Sequence, residues 1–307
     1  MKTLLLSDIH VDMQFAYAVE PERIKCDDPD ESVVTDTLEY MWKFYSIPET
    51  EGIIIPGDFS NDFLTFARTI PWLSNKYKSV MLVAGNHDAV VRGSTPSKSN
   101  LQFTSTEQKF AHMKDVCRKY DNVVFLDEEE RHTLISKGIG GCMGFCDFKC
   151  EAPTYGLDAF TAWKRNWFDG KYMRYFNQEP GKIWNHYEKA LTDILAHGPK
   201  VVVTHFVPYE LGVPFDFRND PWNYVFYFMG EKFLDMMEND TYWFCGHVHG
   251  RRMADYVNSK GNVIHIRCNP LAYPNERSNY CDIVDYTGET IKRSSKPVAD
   301  SDFIFDL

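Results

Sequence analysis

Five short segments of the sequence carry Asp, Asn and His side chains at spacings that could hold metal ions. They are Asp8-Ile9-His10, Gly57-Asp58, Gly85-Asn86-His87-Asp88, Thr204-His205 and Gly246-His247-Val248-His249. Carboxylate, amide and imidazole ligands without cysteine suit divalent manganese, iron, cobalt or zinc. Seven such groups exceed what one metal ion needs. The set therefore predicts a hydrolytic centre with two metal ions.

Each of these segments follows an apolar run that is typical of a strand buried on both faces. The predicted strands cover residues 3–6, 52–55, 80–83, 123–126, 201–203, 242–245 and 263–266. In α/β folds, ligands bind in the crevice outside the carboxyl ends of the strands. Alternation along the strand also places Asp8 and His10 on one side, with Ile9 directed into the core. We therefore expect the five segments to converge.

Helical patterns alternate with these strands at residues 33–45, 61–73, 106–120 and 183–197. Ser60 and Asn61 are the candidate N-caps of the second helix, and Gly198-Pro199 ends the last one. This alternation predicts an α/β fold. Near the end of the chain, strands at 281–286 and 289–293 are predicted to form a hairpin around Thr287-Gly288.

The candidate ligands extend from position 8 to position 249, so residues 1–307 are predicted to form a single domain. No internal repeat or low-complexity linker divides the sequence. Two stretches differ from the rest of the sequence because they are rich in aromatic residues and lack a clear period. They are an aromatic-rich elaboration at about 140–180 and a loop region at about 208–229. Their aromatic side chains are predicted either to lie beside the site or to cover the core.

Composition and charge restrict the classes of binding partner that are expected. The formal net charge of −11 disfavours nucleic acid and anionic membranes, since binding to phosphate backbones needs clustered Lys and Arg. No apolar stretch is long enough to span a membrane, and residues 1–6 are predicted as a first strand rather than a signal peptide. A cytoplasmic protein with reduced thiols is expected. Cys142, Cys146 and Cys150 are interpreted as buried or incidental thiols, because paired Cys-x-x-Cys spacing is missing.

The five segments, in this order, resemble the calcineurin-like metallophosphoesterase family. The resemblance covers about residues 1–90 and 198–295. It implies a four-layer α/β/β/α sandwich in which helices flank two mixed sheets. It also implies two divalent ions, manganese, iron or zinc, that share the Asp58 carboxylate. One ion would be held by Asp8, His10, Asp58 and His249, and the other by Asp58, Asn86, His205 and His247.

The same resemblance implies hydrolysis of a phosphate ester by direct attack of a hydroxide that bridges the two ions. Such ions lie about 3.5–4 Å apart and clamp the attacking and leaving oxygens. His87 would stabilise the transition state or protonate the departing oxygen. Asp88 would orient the His87 ring, or cap the turn that follows it. The run from Cys268 to Glu276 is similar to a stretch of some such hydrolases and is predicted to pack beside the metal site.

Departures from the family pattern narrow the range of expected substrates. The segment after Asp58 lacks the Val-Asp-Arg-Gly pattern of the protein phosphatases, and Asn61 stands where purple acid phosphatases have a metal-ligating Tyr. A small organic phosphate such as a nucleotide is expected. A diester is slightly preferred to a monoester, because no Arg is clearly placed to bind a dianionic terminal phosphate. Arg251 and Arg252, just after His249, could nevertheless supply the positive charge.

Two other functions remain open. A non-catalytic scaffold could retain the fold to bind a partner protein, although such a chain would be expected to lose catalytic groups. The same centre could also cleave DNA or RNA, which the acidic balance disfavours. The sequence does not indicate an oligomeric state. Five other histidines lack a metal-site context and are predicted on the surface or in the core: His112, His132, His186, His197 and His265.

Overall fold

A computed structural model describes ten parts of the chain: residues 1–24, 30–91, 100, 102–126, 138–149, 157–217, 220–276, 280–284, 290–295 and 300–307. Within them, two mixed sheets are flanked by helices, which confirms the predicted fold class. Three features predicted from the sequence lie outside the described residues: Cys150, His132 and the Thr287-Gly288 turn.

The first sheet positions three of the ligand-bearing segments. It contains β1 (Lys2–Leu5), β2 (Gly52–Pro56), β3 (Ser79–Val83), β4 (Val123–Phe125) and β12 (Ile304–Asp306). Its order is β12-β1-β2-β3-β4, in which β1 to β4 are parallel and β12 runs antiparallel to β1. The carboxyl ends of β1, β2 and β3 therefore lie side by side at one edge.

The second sheet positions the histidine segments. It contains β5 (Ile139–Cys142), β6 (Val201–Thr204), β7 (Thr241–Cys245), β8 (Arg251–Val257), β9 (Val263–Cys268), β10 (Tyr280–Val284) and β11 (Thr290–Ser295). Its order is β11-β10-β8-β9-β7-β6-β5. Strands β6 and β7 are parallel neighbours, so their carboxyl ends also meet. The sequence did not predict β5, β8 or β12.

Alternate residues of the central strands face different layers. Leu5 and Ile54 pack against Val203 and Phe244 in a buried cluster that both sheets share. Neighbouring residues such as Leu4 belong instead to the larger cluster on the helical side. Burial of both strand faces explains why these sequences are continuously apolar rather than alternating.

The described helices are α1 (Val11–Ala18), α2 (Glu31–Phe44), α3 (Phe63–Lys76), α4 (Thr106–Cys117), α5 (Ala159–Asn166), α6 (Phe168–Tyr172), α7 (Pro180–Leu195) and α8 (Glu231–Leu234). Four of them, α2, α3, α4 and α7, match the predicted helices. The predicted caps of α3 were wrong: the Asp62 carboxylate accepts a hydrogen bond from the Thr65 N–H at 2.6 Å and caps the helix. Among the described residues, no helix is both long and apolar enough to cross a membrane.

The aromatic-rich stretch contains two helices that its sequence did not reveal, α5 and α6. Its rings serve both of the expected purposes. Trp163 is almost fully buried in the core, whereas the next ring along, Trp167, is only half-buried. The described cysteines, including the buried Cys142 and Cys146, are free thiols, as predicted.

Candidate metal centre

The structure brings all seven candidate ligands together at the carboxyl ends of five strands. Asp8 and His10 follow β1, Asp58 follows β2 and Asn86 follows β3 of the first sheet. The other three histidines follow β6 and β7 of the second. Four of these candidate ligands have left-handed backbone conformations, with φ of 52° at Asp8, 41° at His10, 59° at Asp58 and 68° at His247. Backbone strain of this kind in non-glycine residues clusters at functional sites, where surrounding structure maintains it.

A first group of ligand atoms belongs to Asp8, His10, Asp58 and His249, and these atoms all lie within 4.8 Å of one another. The Nε2 atoms of His10 and His249 are 3.2 Å apart. Carboxylate oxygens approach the same point, with Asp58 Oδ2 at 3.6 Å from His10 Nε2 and Asp8 Oδ1 at 3.7 Å from His249 Nε2. Two nitrogen lone pairs and two carboxylates directed to one point fit a divalent cation.

A second group lies on the other side of Asp58. The Oδ1 atom of Asn86 is 2.7 Å from His205 Nε2 and 2.9 Å from His247 Nδ1. Asp58 Oδ1 lies 3.4 Å from the same His205 nitrogen, while its Oδ2 faces His10. The Asp58 carboxylate thus stands between the two groups, with one oxygen directed to each.

Burial dominates the electrostatics of the centre. It raises the pKa of Asp8 to about 6 and that of Asp58 well above its usual range, since a charged carboxylate is poorly solvated there. Burial also lowers the pKa of His10 and His205 well below the ordinary value, and that of His247 to about 3. Neutral imidazoles are the form that binds metals, and a bound cation would offset the cost of ionising the carboxylates.

Outer partners hold two of the candidate histidine ligands in orientation. The His205 Nδ1–H donates to the Pro56 carbonyl at 2.8 Å, which leaves Nε2 free to face Asn86. The Nδ1 atom of His249 contacts the Glu276 carboxylate at 2.5 Å. Such partners fix the tautomer and ring orientation of metal-binding histidines. Glu276 lies in the run that was predicted to pack beside the site, but no specific role was predicted for this residue.

Asp169 on α6 is a site residue that sequence reasoning missed. Its Oδ1 accepts a hydrogen bond from the Asn86 side-chain amide at 2.9 Å, so the amide oxygen of Asn86 is turned towards His205 and His247. Burial raises the pKa of Asp169 to about 7. Nothing in the local sequence identifies this residue, because it lies in the aromatic stretch, far from the metal motifs.

His87 lies beside the centre with both ring nitrogens engaged. Its Nδ1–H donates to Asn61 Oδ1 at 2.9 Å, and its Nε2 is 2.9 Å from the hydroxyl oxygen of Tyr273. The Phe168 ring stacks on the imidazole, with centroids 5.2 Å apart and an interplanar angle of 21°. Burial and neighbouring imidazoles lower the pKa of His87 to about 3, which favours a neutral ring.

Asp88 does not orient His87 as expected. Its carboxylate accepts four backbone hydrogen bonds instead, at 2.8–3.2 Å, from the N–H groups of Asp58, Phe59, Ser60 and Gly85. Asp88 thereby ties the loop after β2 to the loop after β3, and it positions the ligand Asp58 through its backbone. The partners of the His87 ring are Asn61 and Tyr273.

A cavity of about 1000 Å³ opens onto the centre. Its lining includes the candidate ligands Asp58, Asn86, His247 and His249, together with His87. No Lys or Arg is found among the described lining residues. Arg251 and Arg252, which could have supplied positive charge, are buried in β8 and do not line the cavity. Four of the other histidines, at positions 112, 186, 197 and 265, also lie away from it.

Comparison with known proteins gives one family and one fold. Residues 1–251 match the family model described as calcineurin-like phosphoesterase. No curated protein matches the sequence significantly. Among solved structures, the chain is similar to a phosphopantetheinyl hydrolase from Mycobacterium tuberculosis, with a TM-score of 0.57 and 15% sequence identity over 90% of each chain. At this identity the likeness concerns the fold alone.

Proposed function

Because the chain belongs to the calcineurin-like phosphoesterase family and is therefore a metal-dependent hydrolase of phosphate esters, we propose that its substrate is a small phosphodiester. The observation that carries this proposal is the convergence of seven oxygen and nitrogen groups next to a cavity whose described lining has no Lys or Arg. The family uses two divalent metal ions, and the two groups of ligands on either side of Asp58 fit this number.

We assign one ion to Asp8, His10, Asp58 and His249, and the other to Asp58, Asn86, His205 and His247. The opposite directions of the two Asp58 oxygens support a shared carboxylate. When bound, the ions supply Lewis acidity that polarises the ester and lowers the pKa of water. Manganese, iron and zinc all accept this mixture of carboxylate, amide and imidazole ligands.

A diester is preferred because of the charge of the cavity. A terminal monoester phosphate is a dianion, and it usually receives an additional Arg or Lys beside the metals. The described lining offers neither, while a diester carries a single negative charge that the metal centre itself can balance. The structural neighbour's name concerns a phosphopantetheinyl compound, which is consistent with an organic phosphate but does not specify the substrate of this chain.

Water is proposed as the nucleophile. No Ser, Thr or Cys is present among the described lining residues that could form a phosphoenzyme. His87 is the proposed partner of the departing oxygen, because its Nε2 lies beside the centre. In the neutral ring this nitrogen accepts a hydrogen bond from the Tyr273 hydroxyl, so it must take up a proton before it donates one. Asn61 holds the ring from the other nitrogen. Asp58 acts as the shared ligand.

We also propose that the chain forms one domain that acts in the cytoplasm. The shared centre supports one domain, because ligands from both sheets meet there. The buried free thiols support a reducing compartment.

The function is tested with manganese-loaded protein on bis-p-nitrophenyl phosphate and p-nitrophenyl phosphate. We expect hydrolysis of both and a higher kcat/KM for the diester. Asp58→Asn and His205→Ala should each lower kcat/KM by more than about 100-fold. Mutation of a residue that only orients a metal ligand already lowers metal affinity or activity by about 10- to 100-fold. His197→Ala, an exposed histidine at the end of α7, is the matched control and should retain normal turnover. Normal activity in both ligand variants would refute the assignment.

A further inference from the structure

The cavity next to the metal centre is lined mainly by aromatic rings. Beyond the metal-site residues, the part of the lining that the structure describes contains six rings: Tyr17, Trp167, Phe168, Phe217, Phe226 and Tyr273. Four of these come from the two stretches whose sequence did not show what they bind, at about 140–180 and 208–229. The two stretches meet at the cavity, where the centroids of Trp167 and Phe226 are 5.9 Å apart and those of Phe217 and Phe226 are 5.8 Å apart.

The charged groups of the cavity are already engaged with the metal site. Three carboxylates belong to its described lining, and each has a partner there: Asp58 lies between the two ligand groups, Asp169 accepts from Asn86, and Glu276 contacts His249. Among the lining residues that the structure describes, no carboxylate is left to pair with a cationic group on a substrate. With no Lys or Arg in the described lining, a second phosphate would also lack a counter-charge.

The volume and the rings together indicate the kind of group that fits. A cavity of about 1000 Å³ is much larger than a phosphate and could hold a drug-sized ligand. Aromatic side chains stack on flat rings, and such stacking on a base is worth about 1–3 kcal/mol. A flexible aliphatic chain would gain only the area-dependent hydrophobic contribution.

We propose that the organic group of the substrate is an uncharged planar ring, such as an aryl group or a nucleobase, held by Trp167, Phe217 and Phe226. This deepens the proposed function and rests on it. A second phosphate would find no Lys or Arg in the described lining. Aromatic faces also attract quaternary ammonium groups, and an acyl chain gains hydrophobic contact there, so the test compares these groups directly. The two aromatic stretches are, on this view, the specificity elements of the enzyme.

The test uses binding rather than turnover. Monomethyl esters of phenyl-, cyclohexyl-, methyl- and 2-(trimethylammonio)ethylphosphonate carry the same phosphonate anion, and the phosphorus–carbon bond keeps the varied group attached. Calorimetry of the manganese-loaded protein should give a Kd for the phenyl compound at least about 10-fold below that of the methyl compound, the lower part of the range expected for stacking. The phenyl compound should also bind more tightly than the cyclohexyl compound, although cyclohexyl is the more apolar ring of similar size.

Variants test whether the difference in Kd arises from the aromatic rings of the cavity. Phe217→Leu and Trp167→Leu should each remove most of the difference between the phenyl and methyl compounds. Phe44→Leu, at an exposed phenylalanine of α2 outside the cavity, is the matched control and should preserve that difference. Circular dichroism and a thermal melt of each variant verify folding.

Equal or tighter binding of the cyclohexyl compound would overturn the planar-ring proposal, and so would tightest binding of the ammonium compound or equal binding of all four. These outcomes leave hydrolysis of small diesters intact. Conversely, discrimination among the phosphonates without hydrolysis of any phosphate ester would refute the proposed function while preserving the ring site. The two proposals therefore fail separately.

Discussion

At the scale of single residues, the centre depends on side chains that orient the ligands as well as on the ligands themselves. An amide has an oxygen and a nitrogen at similar positions, and only its oxygen can bind a cation. Asp169 accepts from the Asn86 nitrogen and so selects which end faces His205 and His247. Asn61 has the same effect on His87, since it accepts the Nδ1 proton and leaves Nε2 directed to the Tyr273 hydroxyl.

The role of His87 can be separated from that of the metals by changing the leaving group. If His87 assists the departing oxygen, His87→Ala should lower kcat by about 10²–10⁴-fold for a diester with a phenol leaving group. The loss should be smaller for bis-p-nitrophenyl phosphate, because p-nitrophenolate departs without a proton. Tyr273→Phe keeps the imidazole and should cost less on both substrates. Equal losses for His87→Ala on the two diesters would instead indicate that His87 stabilises charge on the phosphate.

At the scale of elements, the loops after β2 and β3 approach each other so closely that their glycines are required. A Cβ at Gly85 would lie 2.5 Å from the Asp58 N atom and closer still to its carboxylate. Gly57 has a φ of +81°, and a Cβ there would lie 2.7 Å from the Gly85 N atom. Asp88 bridges the same two loops through backbone hydrogen bonds. The close approach is therefore what places Asp58 between the two ligand groups.

Gly85→Ala tests this close approach. The added methyl group must displace Asp58, so we expect destabilisation of about 1–3 kcal/mol, as for other overpacked sites, together with a large loss of kcat. Gly181→Ala is the matched control, because a Cβ at this helical position meets nothing within 4 Å. That change should be neutral or stabilising by about 0.4–1 kcal/mol. The measurements are denaturant unfolding and the rate on bis-p-nitrophenyl phosphate, and a fully active Gly85→Ala protein would contradict the steric argument.

At the scale of the whole molecule, the metal centre joins the two sheets. Asp8, Asp58 and Asn86 come from the first sheet, and His205 and His247 come from the second. Several of these groups are buried with a pKa shifted towards the neutral form, so the metal-free protein bears the cost of their desolvation. Cations that bind only the folded protein should therefore stabilise the association of the two sheets.

Manganese should raise the free energy of unfolding by about 2.7 kcal/mol at a free concentration 100 times its Kd. Thermal melts with manganese and with a chelator measure this difference. His205→Ala should reduce the stabilisation, whereas His197→Ala should preserve it, because only the first lies in the centre. Identical melting temperatures with manganese and chelator in the unmodified protein would show that these side chains do not hold the ion.

The sequence alone determined the seven candidate ligands, the strands that present Asp8, Asp58 and Asn86, and the α/β class. These features are local: residue type sets the ligand chemistry, and an apolar run followed by glycine or a polar residue marks the end of a buried strand. Helices α5 and α6 and strand β5 were missed, because aromatic and glycine-rich sequence has no clear period there.

Only the tertiary structure decided which residues surround the ligands. Asn86 and Asp169 are 83 positions apart, and His87 and Tyr273 are 186 apart, so their contacts leave no trace in local sequence patterns. The same holds for three of the four backbone groups that Asp88 binds, because they belong to another loop. The rings that line the cavity could be assigned to it only after folding, since Trp163 and Trp167 look alike in sequence but lie in the core and at the cavity. Ligand identity follows from residue chemistry, whereas orientation and specificity follow from long-range packing.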